Sequence, residues 1–326
     1  MSRVSRLTAG LVTVTVLTVT ASGCVTVHGE REVVPSATKA EAAEALTAFT
    51  DAYNKADKAY DPALDAGRVT GAFGATTQAG FTAAHATNPG GNARHSALTL
   101  TDAKYTIPKQ AGWPRWFVAD TDSNRDQDDK GPNDTRWLLL FIRSGPEQVW
   151  KLAYLSILGV KDVPAFKTDR DGWAEPVSPD DPSLAVAPKD LSADYASYLQ
   201  DGKPPVFADG EHTSGWRDAR QKSAVRSGRI SQFLDQPLTE GDFAPLGLRT
   251  TDNRALVFFA ARHFERQTAA KGVRLDISPD EKALLTGQVK SSLTREWISN
   301  ELALVPPQGK VLVANRVQGV VAMKGE

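Results

Sequence analysis

The sequence predicts an α+β fold in which two tandem domains each pack helices on a curved antiparallel sheet. Three observations lead to this prediction. Segments with helical periodicity precede segments with strand periodicity in each half of the chain, short polar loops join the strand segments, and a proline-rich stretch separates the halves. Short loops are typical of hairpins, which produce antiparallel sheets, and helices segregated from such sheets define the α+β class.

The N-terminal segment has the three-part order of a secretory signal. Arg3 and Arg6 supply positive charge, residues 7–20 carry no charge, and small residues follow at 21–23. The uncharged stretch is too short to cross a bilayer, which needs roughly 20 apolar residues. We therefore predict that residues 1–23 form a signal peptide that is removed by cleavage.

The residues Ala21-Ser22-Gly23-Cys24 resemble the lipobox of bacterial lipoproteins. The resemblance implies that the thiol of Cys24 receives a diacylglycerol and that cleavage falls between Gly23 and Cys24. It departs from the commonest lipobox at Ala21, where the family usually has Leu. Palmitate-type acyl chains would hold the protein on the extracytoplasmic face of the cell membrane. The alternative is an ordinary secretory signal with an incidental cysteine.

Charge and cysteine content exclude several classes of protein. The chain carries 38 basic and 39 acidic residues, with no basic stripe, which argues against a nucleic-acid partner. Cys24 is the only cysteine, so neither an intramolecular disulfide nor a thiolate metal site can form. Phosphate-binding and dinucleotide-binding glycine motifs are missing from the sequence, and we predict no cofactor.

The predicted elements of the first domain, residues 38–160, follow a polar tether at residues 24–37. Thr38 and Glu41 form a capping-box pattern, which predicts a helix that ends near Tyr60. A short helix is expected around residues 77–86. Alternation and branched or aromatic residues predict strands at 96–107, 116–119, 137–143 and 149–158.

A linker at residues 161–190 contains five prolines, and Trp173 within it predicts that the linker packs on a domain. In the second domain, residues 191–326, helices are expected at 193–200 and 215–225. Strands are expected at 232–238, 244–249, 256–265 and 273–277, and residues 311–321 are expected to form a terminal strand pair or one bent strand. Ser278 and Glu281 predict a helix that ends at Gly287, and residues 289–304 fit either a strand or a helix.

The halves share one order of elements, which is weak evidence for duplication. This order is similar to that of nuclear-transport-factor-like and cystatin-like domains, where a curved sheet wraps a helix. Residues 114–117 (PRWF), 149–158 (VWKLAYLSIL), 248–259 (LRTTDNRALVFF) and 291–311 are similar to a family of actinobacterial lipoproteins of unknown function. The resemblance implies an envelope lipoprotein and transfers no catalytic residue.

One polar loop has oxygen-bearing side chains at alternate positions, as calcium loops do. These side chains are Asp120, Asp122, Asn124 and Asp126. Arg125 stands where a calcium loop needs glycine, and Gly131 where it needs a bidentate glutamate. We interpret the segment as a solvated hairpin loop, with a calcium site as the alternative.

Other candidate residues give no site pattern. Ser36 and Lys39 match a short penicillin-binding-protein pattern without its companion motifs, and we interpret them as a helix start. The five histidines lack metal-ligand spacing. The seven tryptophans predict core packing, with a ligand cleft as the alternative. The sequence therefore assigns no catalytic or metal residue.

The sequence predicts a membrane-anchored, non-enzymatic binding or interaction module of the cell envelope. Its partners would be the membrane, through the lipid, and an envelope protein or small ligand. The alternative is a small-ligand-binding or hydrolytic enzyme with a pocket in one α+β domain. An aspartate facing His263 or His95 within a pocket would favour this alternative.

Overall fold

The computed structural model describes residues 32–126, 131 and 133–326. The predicted signal peptide, Gly23, Cys24 and most of the tether therefore lie outside the described residues. Helices in the first half are α1 (Lys39–Ala59) and α2 (Gly71–Thr87), and strands are β1 (Val34–Pro35), β2 (Leu100–Thr106), β3 (Lys109–Gln110), β4 (Arg115–Ser123), β5 (Thr135–Arg143) and β6 (Lys151–Gly159). The mixture of helices and antiparallel sheets confirms the α+β class.

Helix α1 begins and ends where the sequence predicts. The Thr38 N–H donates to Glu41 Oε2 at 2.7 Å, and the Glu41 N–H donates to Thr38 Oγ1 at 3.1 Å. Tyr60 ends the helix in the left-handed conformation with φ of 51°. Helix α2 starts six residues before the predicted 77–86 segment, at Gly71. A Cβ at Gly71 would lie 2.5 Å from the Asp242 carbonyl oxygen, so only glycine allows this approach.

The second half contains α3 (Leu191–Asp201), α4 (Trp216–Ala224) and α5 (Pro279–Lys282), and the strands β7 (Val225–Arg226), β8 (Arg229–Leu238), β9 (Leu246–Arg249), β10 (Ala255–Ala269), β11 (Leu285–Gly287), β12 (Ser292–Val305) and β13 (Leu312–Gly325). The ambiguous residues 289–304 are mostly strand, because β12 pairs with β10 over its whole length. The capping box at Ser278 is present, but α5 is shorter than predicted since Leu285–Gly287 pairs with β13.

The predicted strand at 273–277 is wrong. Gly272 has φ of 86°, which turns the chain after β10, and residues 273–278 have no regular secondary structure. The Val273 N–H donates to the carbonyl of Ala270 at 3.0 Å, within this turn. The alternating side chains that suggested a strand therefore have no neighbouring strand with which to pair.

Two large sheets are formed. The four-stranded sheet has the antiparallel order β2-β4-β5-β6, and the seven-stranded sheet has the order β11-β13-β12-β10-β8-β7, with β9 also paired to β10. One buried cluster contains side chains from both sheets, including Val118 and Leu140 from the first and Phe258 and Leu302 from the second. The two sheets therefore pack on each other through these faces.

Helices cover the remaining faces of the sheets. Phe49 of α1 packs with Phe117 and Phe141 of the four-stranded sheet. Tyr195 of α3 packs against Phe259 of the seven-stranded sheet. The proline-rich segment is bridged to the chain after β2, between residues 108 and 174, and to β9 of the seven-stranded sheet, between residues 176 and 248. The division into domains at residues 161–190 stays a prediction. No helix among the described residues is long and apolar enough to cross a membrane.

A candidate ligand pocket beside a buried polar row

A row of polar side chains crosses the helix-covered face of the seven-stranded sheet. In β10, His263 lies opposite Asp235 of β8 and opposite Trp297 of β12. Ser299 and Glu301 follow Trp297 at two-residue intervals, so the pleat places them on the same face. This face is apolar farther along the same strands, where Phe259 packs under α3. The polar row therefore interrupts an otherwise hydrophobic surface.

The row is connected by short hydrogen bonds. His263 Nδ1 lies 2.6 Å from Asp235 Oδ1, and His263 Nε2 lies 2.6 Å from Ser299 Oγ. Ser299 Oγ also contacts Glu301 Oε1. Arg220 of α4 donates two hydrogen bonds to Asp235, of 2.7 and 2.9 Å. Since Ser299 and Glu301 have no exposed surface and His263 is 2% exposed, the row is closed to solvent.

Burial and charge set the protonation of the row. Burial alone would raise the pKa of Asp235, but hydrogen bonds from His263 and Arg220 and the charge of Arg220 outweigh it and lower the pKa. Burial lowers the pKa of His263 to about 4, although the hydrogen bond to Asp235 opposes this shift. Burial raises the pKa of Glu301 to about 7, against the nearby charge of Arg316. Burial therefore favours the neutral form of both His263 and Glu301.

The Ser299 hydroxyl connects Glu301 and His263. Ser299 Oγ lies within hydrogen-bond distance of both Glu301 Oε1 and His263 Nε2 and can donate its one proton to only one of them. Among the described residues, Glu301 Oε2 has no hydrogen-bond partner. His263 donates from Nδ1 to Asp235, whose remaining capacity is filled by Arg220. Both ring nitrogens of His263 are therefore occupied within the row.

A cavity of about 300 Å³ lies between α4 and this face of the sheet. Four aromatic side chains and several polar ones line it: Trp216, Ala219, Arg220, Ser223, Phe233, His263, Phe264, Glu265, Trp297 and Gln318. Helical spacing places Trp216, Arg220 and Ser223 of α4 on the side that faces the sheet. The cavity combines an aromatic wall with polar groups at fixed positions, a combination that is typical of small-ligand sites.

The two guanidinium groups near the cavity are already engaged. Arg220 is bound to Asp235 and lies 5.1 Å from the ring centroids of Trp216 and Phe233. Arg316 stacks 3.9 Å above Trp216 and donates to Gln318 Oε1 at 2.6 Å. These contacts fix the aromatic wall, because a cation over a ring face restrains both groups.

Glu265 differs from Arg220, the other charged residue of the lining. Its Oε1 accepts hydrogen bonds from Ser231 Oγ at 2.9 Å and Gln267 Nε2 at 2.8 Å. Among the residues that the structure describes, the ion pairs within 4.0 Å do not include Glu265. Its carboxyl group is only half-buried, so it can accept a further hydrogen bond at the cavity.

The order Asp235, His263, Ser299 is that of a hydrolase triad, but access to the serine is blocked. Ser299 has no exposed surface, does not line the cavity, and contacts Glu301 on its second side. A nucleophile must reach the substrate carbon, and this hydroxyl does not. The geometry therefore supports a buried relay beside a cavity more directly than an open catalytic centre.

His95 also faces an aspartate, which is the second arrangement that would favour an enzyme if it lay within a pocket. His95 Nδ1 lies 2.6 Å from Asp57 Oδ2, and Asp57 also accepts from Asn92 at 3.3 Å. This pair joins α1 to the loop before β2, and it does not line the cavity between α4 and the seven-stranded sheet. It has the geometry of a structural contact.

The calcium-like pattern does not form one ligand set. Asp120 is bound to Arg136 Nε at 2.6 Å, and Asn124 Oδ1 accepts the Thr99 N–H at 2.9 Å. Carboxylate oxygens of Asp122, Asp126 and Asp134 lie within 4.8 Å of one another. Asp126 accepts hydrogen bonds from Thr135, and residues 127–130 and 132 lie outside the described part of the loop.

The sequence singled out His263 as a residue that an aspartate could face in a pocket, and Asp235 lies against it in the structure. Asp235, Ser299 and Glu301 were not recognised from the sequence. Trp216 and Trp297 line the cavity, whereas Trp116 and Trp150 are buried in the core. The available signal was the change from apolar to polar residues along β10, from Phe259 to His263. It did not show which strands lie beside β10.

Comparison with known proteins gives the family context. A family described as a domain of unknown function (DUF8094) matches residues 33–325. An uncharacterized lipoprotein of Streptomyces coelicolor is 56% identical over 313 residues, 96% of this chain and 93% of the relative. An uncharacterized lipoprotein of Streptomyces avermitilis is 53% identical, with the same coverage. A second lipoprotein of Streptomyces coelicolor is 27% identical over 65% of this chain. No solved structure matches with statistical significance.

Proposed function

From the finding that this chain belongs to the DUF8094 family, whose relatives are lipoproteins of unknown function, we propose that it is a membrane-anchored extracytoplasmic protein that binds a small ligand. The observation that carries the binding role is the cavity between α4 and the seven-stranded sheet, with its aromatic wall and its half-buried Glu265. The anchor and the cavity are separate parts of the proposal and are tested separately.

The anchor is proposed at Cys24, which follows the small residues of the lipobox. Replacement Cys24→Ala removes the thiol that would form the thioether, so incorporation of labelled palmitate should be lost and the precursor should stay uncleaved. Ser22→Ala is the matched control, because it changes the same segment and keeps the thiol. Palmitate labelling that persists in Cys24→Ala would refute the anchor.

The ligand proposed for the cavity has an apolar, preferably planar, body and a hydrogen-bond donor. A planar body fits between Trp297 and Phe233, which line opposite parts of the cavity from β12 and β8. A donor such as an amine or amide fits Glu265, whose carboxyl group has no cation partner among the described ion pairs. The volume of about 300 Å³ limits the ligand to a small molecule.

The binding role can be tested on the mature chain from residue 24 with Cys24→Ser. A metabolite library is screened by thermal shift, and hits are titrated by calorimetry. Trp297→Ala should weaken every hit, and Glu265→Gln should weaken hits that carry a donor. Trp173→Ala is the matched control, since Trp173 is half-buried and packs on the core of the four-stranded sheet instead of lining the cavity. Hits that are insensitive to both cavity variants would refute the site.

A hydrolase is the second candidate, favoured by the contacts among Asp235, His263 and Ser299. It requires that Ser299 become exposed when a substrate binds. A fluorophosphonate probe that labels wild type and fails to label Ser299→Ala would support it. We expect no labelling of Ser299, because its hydroxyl lies between His263 and Glu301 without access to the cavity.

A further inference from the structure

Four basic side chains meet around the hairpin that joins β7 and β8. Arg226 and Arg229 are paired in this hairpin, Lys222 lies in the last turn of α4, and Arg274 follows the turn after β10. The Ala270 N–H donates to the Gly228 carbonyl at 2.8 Å, which holds that turn against the hairpin. We call Lys222, Arg226, Arg229 and Arg274, together with the intervening surface, the basic patch.

The cations of the basic patch have no acidic partner in the described structure. Elsewhere, basic side chains are commonly paired, as Lys109 with Asp169 at 2.7 Å and Lys189 with Asp180 at 2.5 Å. None of the ion pairs found between described residues includes a member of the patch. Four uncompensated charges around one shallow depression produce a positive potential that attracts an anionic partner.

Exposed aliphatic side chains lie among these cations. Val225, which lines the depression beside Arg226, is 73% exposed. Val273 is 40% exposed and lies over Gly228, where a Cβ would come within 2.7 Å of its Cγ2. Single exposed valines are ordinary, but two exposed valines within one basic patch are not required by the packing of the sheet.

We propose that the basic patch docks the folded body on the anionic surface of the membrane to which the protein is tethered. This inference rests on the proposed membrane location and goes beyond the lipid anchor. Arginine and lysine side chains bind lipid phosphates, and Val225 and Val273 enter the boundary between headgroups and acyl chains. A soluble anionic polymer offers the phosphates but no apolar layer, so the aliphatic residues favour lipid.

The position of the basic patch relative to the tether defines how the folded body would lie on the membrane. The tether enters the fold at Val34 and Pro35, which pair with Gln110 and Lys109. Next to this pairing runs the proline-rich segment, which is bridged to β9. Arg229 pairs with Ala269 at the opposite end of β10, which has 15 residues. A strand of this length extends about 45 Å. Contact at both ends therefore requires β10 to lie along the membrane.

The test uses the mature chain with Cys24→Ser, so that binding cannot depend on acyl chains. The protein is co-sedimented with vesicles of phosphatidylcholine and with vesicles that contain phosphatidylglycerol. We expect at least tenfold tighter binding to the anionic vesicles, and loss of this difference in high salt. Equal binding to both vesicles, or to neither, would overturn the proposal and leave the Cys24 anchor intact.

Charge variants locate the contact. The double variant Arg226→Glu/Arg274→Glu should bind anionic vesicles at least tenfold more weakly than the unsubstituted chain. The matched control is Lys55→Glu/Lys161→Glu, which changes the same number of charges at exposed lysines outside the patch. An equal loss in both double variants would show that net charge alone is responsible and would refute the patch.

Aliphatic variants separate lipid from soluble polyanions. Val225→Ser should weaken binding to anionic vesicles several-fold, whereas Val149→Ser, at a valine that is 44% exposed, should not. A fluorophore sensitive to polarity, attached at Val225→Cys, should shift to the blue with vesicles, and one at Val149→Cys should not. Full binding by Val225→Ser, or a wild-type preference for soluble polyphosphate over vesicles, would overturn the assignment to lipid.

Discussion

Two histidine–aspartate pairs in this chain have the same contact distance and different surroundings. His263 Nδ1 and His95 Nδ1 each lie 2.6 Å from an aspartate oxygen. The His263 and Asp235 side chains are 3% and 0% exposed, whereas the His95 and Asp57 side chains are 17% and 15% exposed. The distance alone therefore does not distinguish a pair that water can reach from one that it cannot.

The remaining partners of each pair explain the difference. His263 uses its second nitrogen on Ser299, and Asp235 is also bound by Arg220. Removal of any member of this row leaves a buried polar group without a partner and without water. Asp57 is also bound by Asn92, at the edge of α1, where water can replace a lost contact. The row beside the cavity should therefore tolerate substitution much less well than the surface pair.

The largest effect is expected from Asp235→Ala. This change leaves the guanidinium of Arg220 and the ring of His263 without their acceptor in a buried site. Breaking one side of a buried ion pair costs about 3–5 kcal/mol of unfolding free energy. Urea denaturation of the mature chain measures this loss of unfolding free energy.

The matched control for that change is Asp57→Ala. It removes the same contact from the surface pair, and we expect a loss of about 1 kcal/mol. A similar cost in both variants would show that the polar row is more accessible to water than its burial indicates.

A serine pair gives the next largest difference. Ser299→Ala removes the hydroxyl between His263 and Glu301 and should cost about 1–3 kcal/mol, since both neighbours lose a hydrogen bond. Ser156→Ala is the control, because Ser156 is equally buried and its hydroxyl has no hydrogen-bond partner among the described residues. Its removal should be neutral or stabilising, and a loss equal to that of Ser299→Ala would contradict the relay.

The pH dependence of stability should have two opposing contributions from the row. Burial lowers the pKa of His263 from 6.5 to about 4, so its contribution is present above pH 6.5 and is lost as the pH falls toward 4. Burial raises the pKa of Glu301 from 4.5 to about 7, so its contribution is present below pH 4.5 and is lost as the pH rises toward 7. Between pH 4.5 and 6.5 the two slopes oppose each other.

Single variants should expose each slope. Relative to wild type, Glu301→Gln should gain unfolding free energy as the pH rises from 4.5 to 7, by up to about 1.4 kcal/mol per pH unit. His263→Gln should lose unfolding free energy, relative to wild type, as the pH rises from 4 to 6.5. Urea denaturation at half-unit pH steps measures both differences. Parallel pH profiles for all three proteins would contradict the assigned shifts.

Local sequence features predicted much of the fold because they depend on near neighbours. The capping box at Thr38 and the hairpin strands around Phe117 and Phe141 are set by side chains within a few residues. The polar row depends on strand order. Asp235 and Ser299 lie 28 and 36 residues from His263 in sequence and meet only because β8, β10 and β12 are adjacent. No local sequence pattern shows that these three strands are adjacent.

The smallest effect is expected from His95→Ala, and it is the most direct measure of what burial contributes. Asp57 keeps its contacts with Asn92 Nδ2 at 3.3 and 3.4 Å, and water can reach the vacated position because both side chains of the pair are partly exposed. A partly exposed hydrogen bond contributes about 0.5–1 kcal/mol. His263→Ala should cost several times more, since it also leaves Ser299 and Asp235 facing a buried gap. Equal losses in urea denaturation would mean that contact distance, and not burial, determines the strength of both pairs.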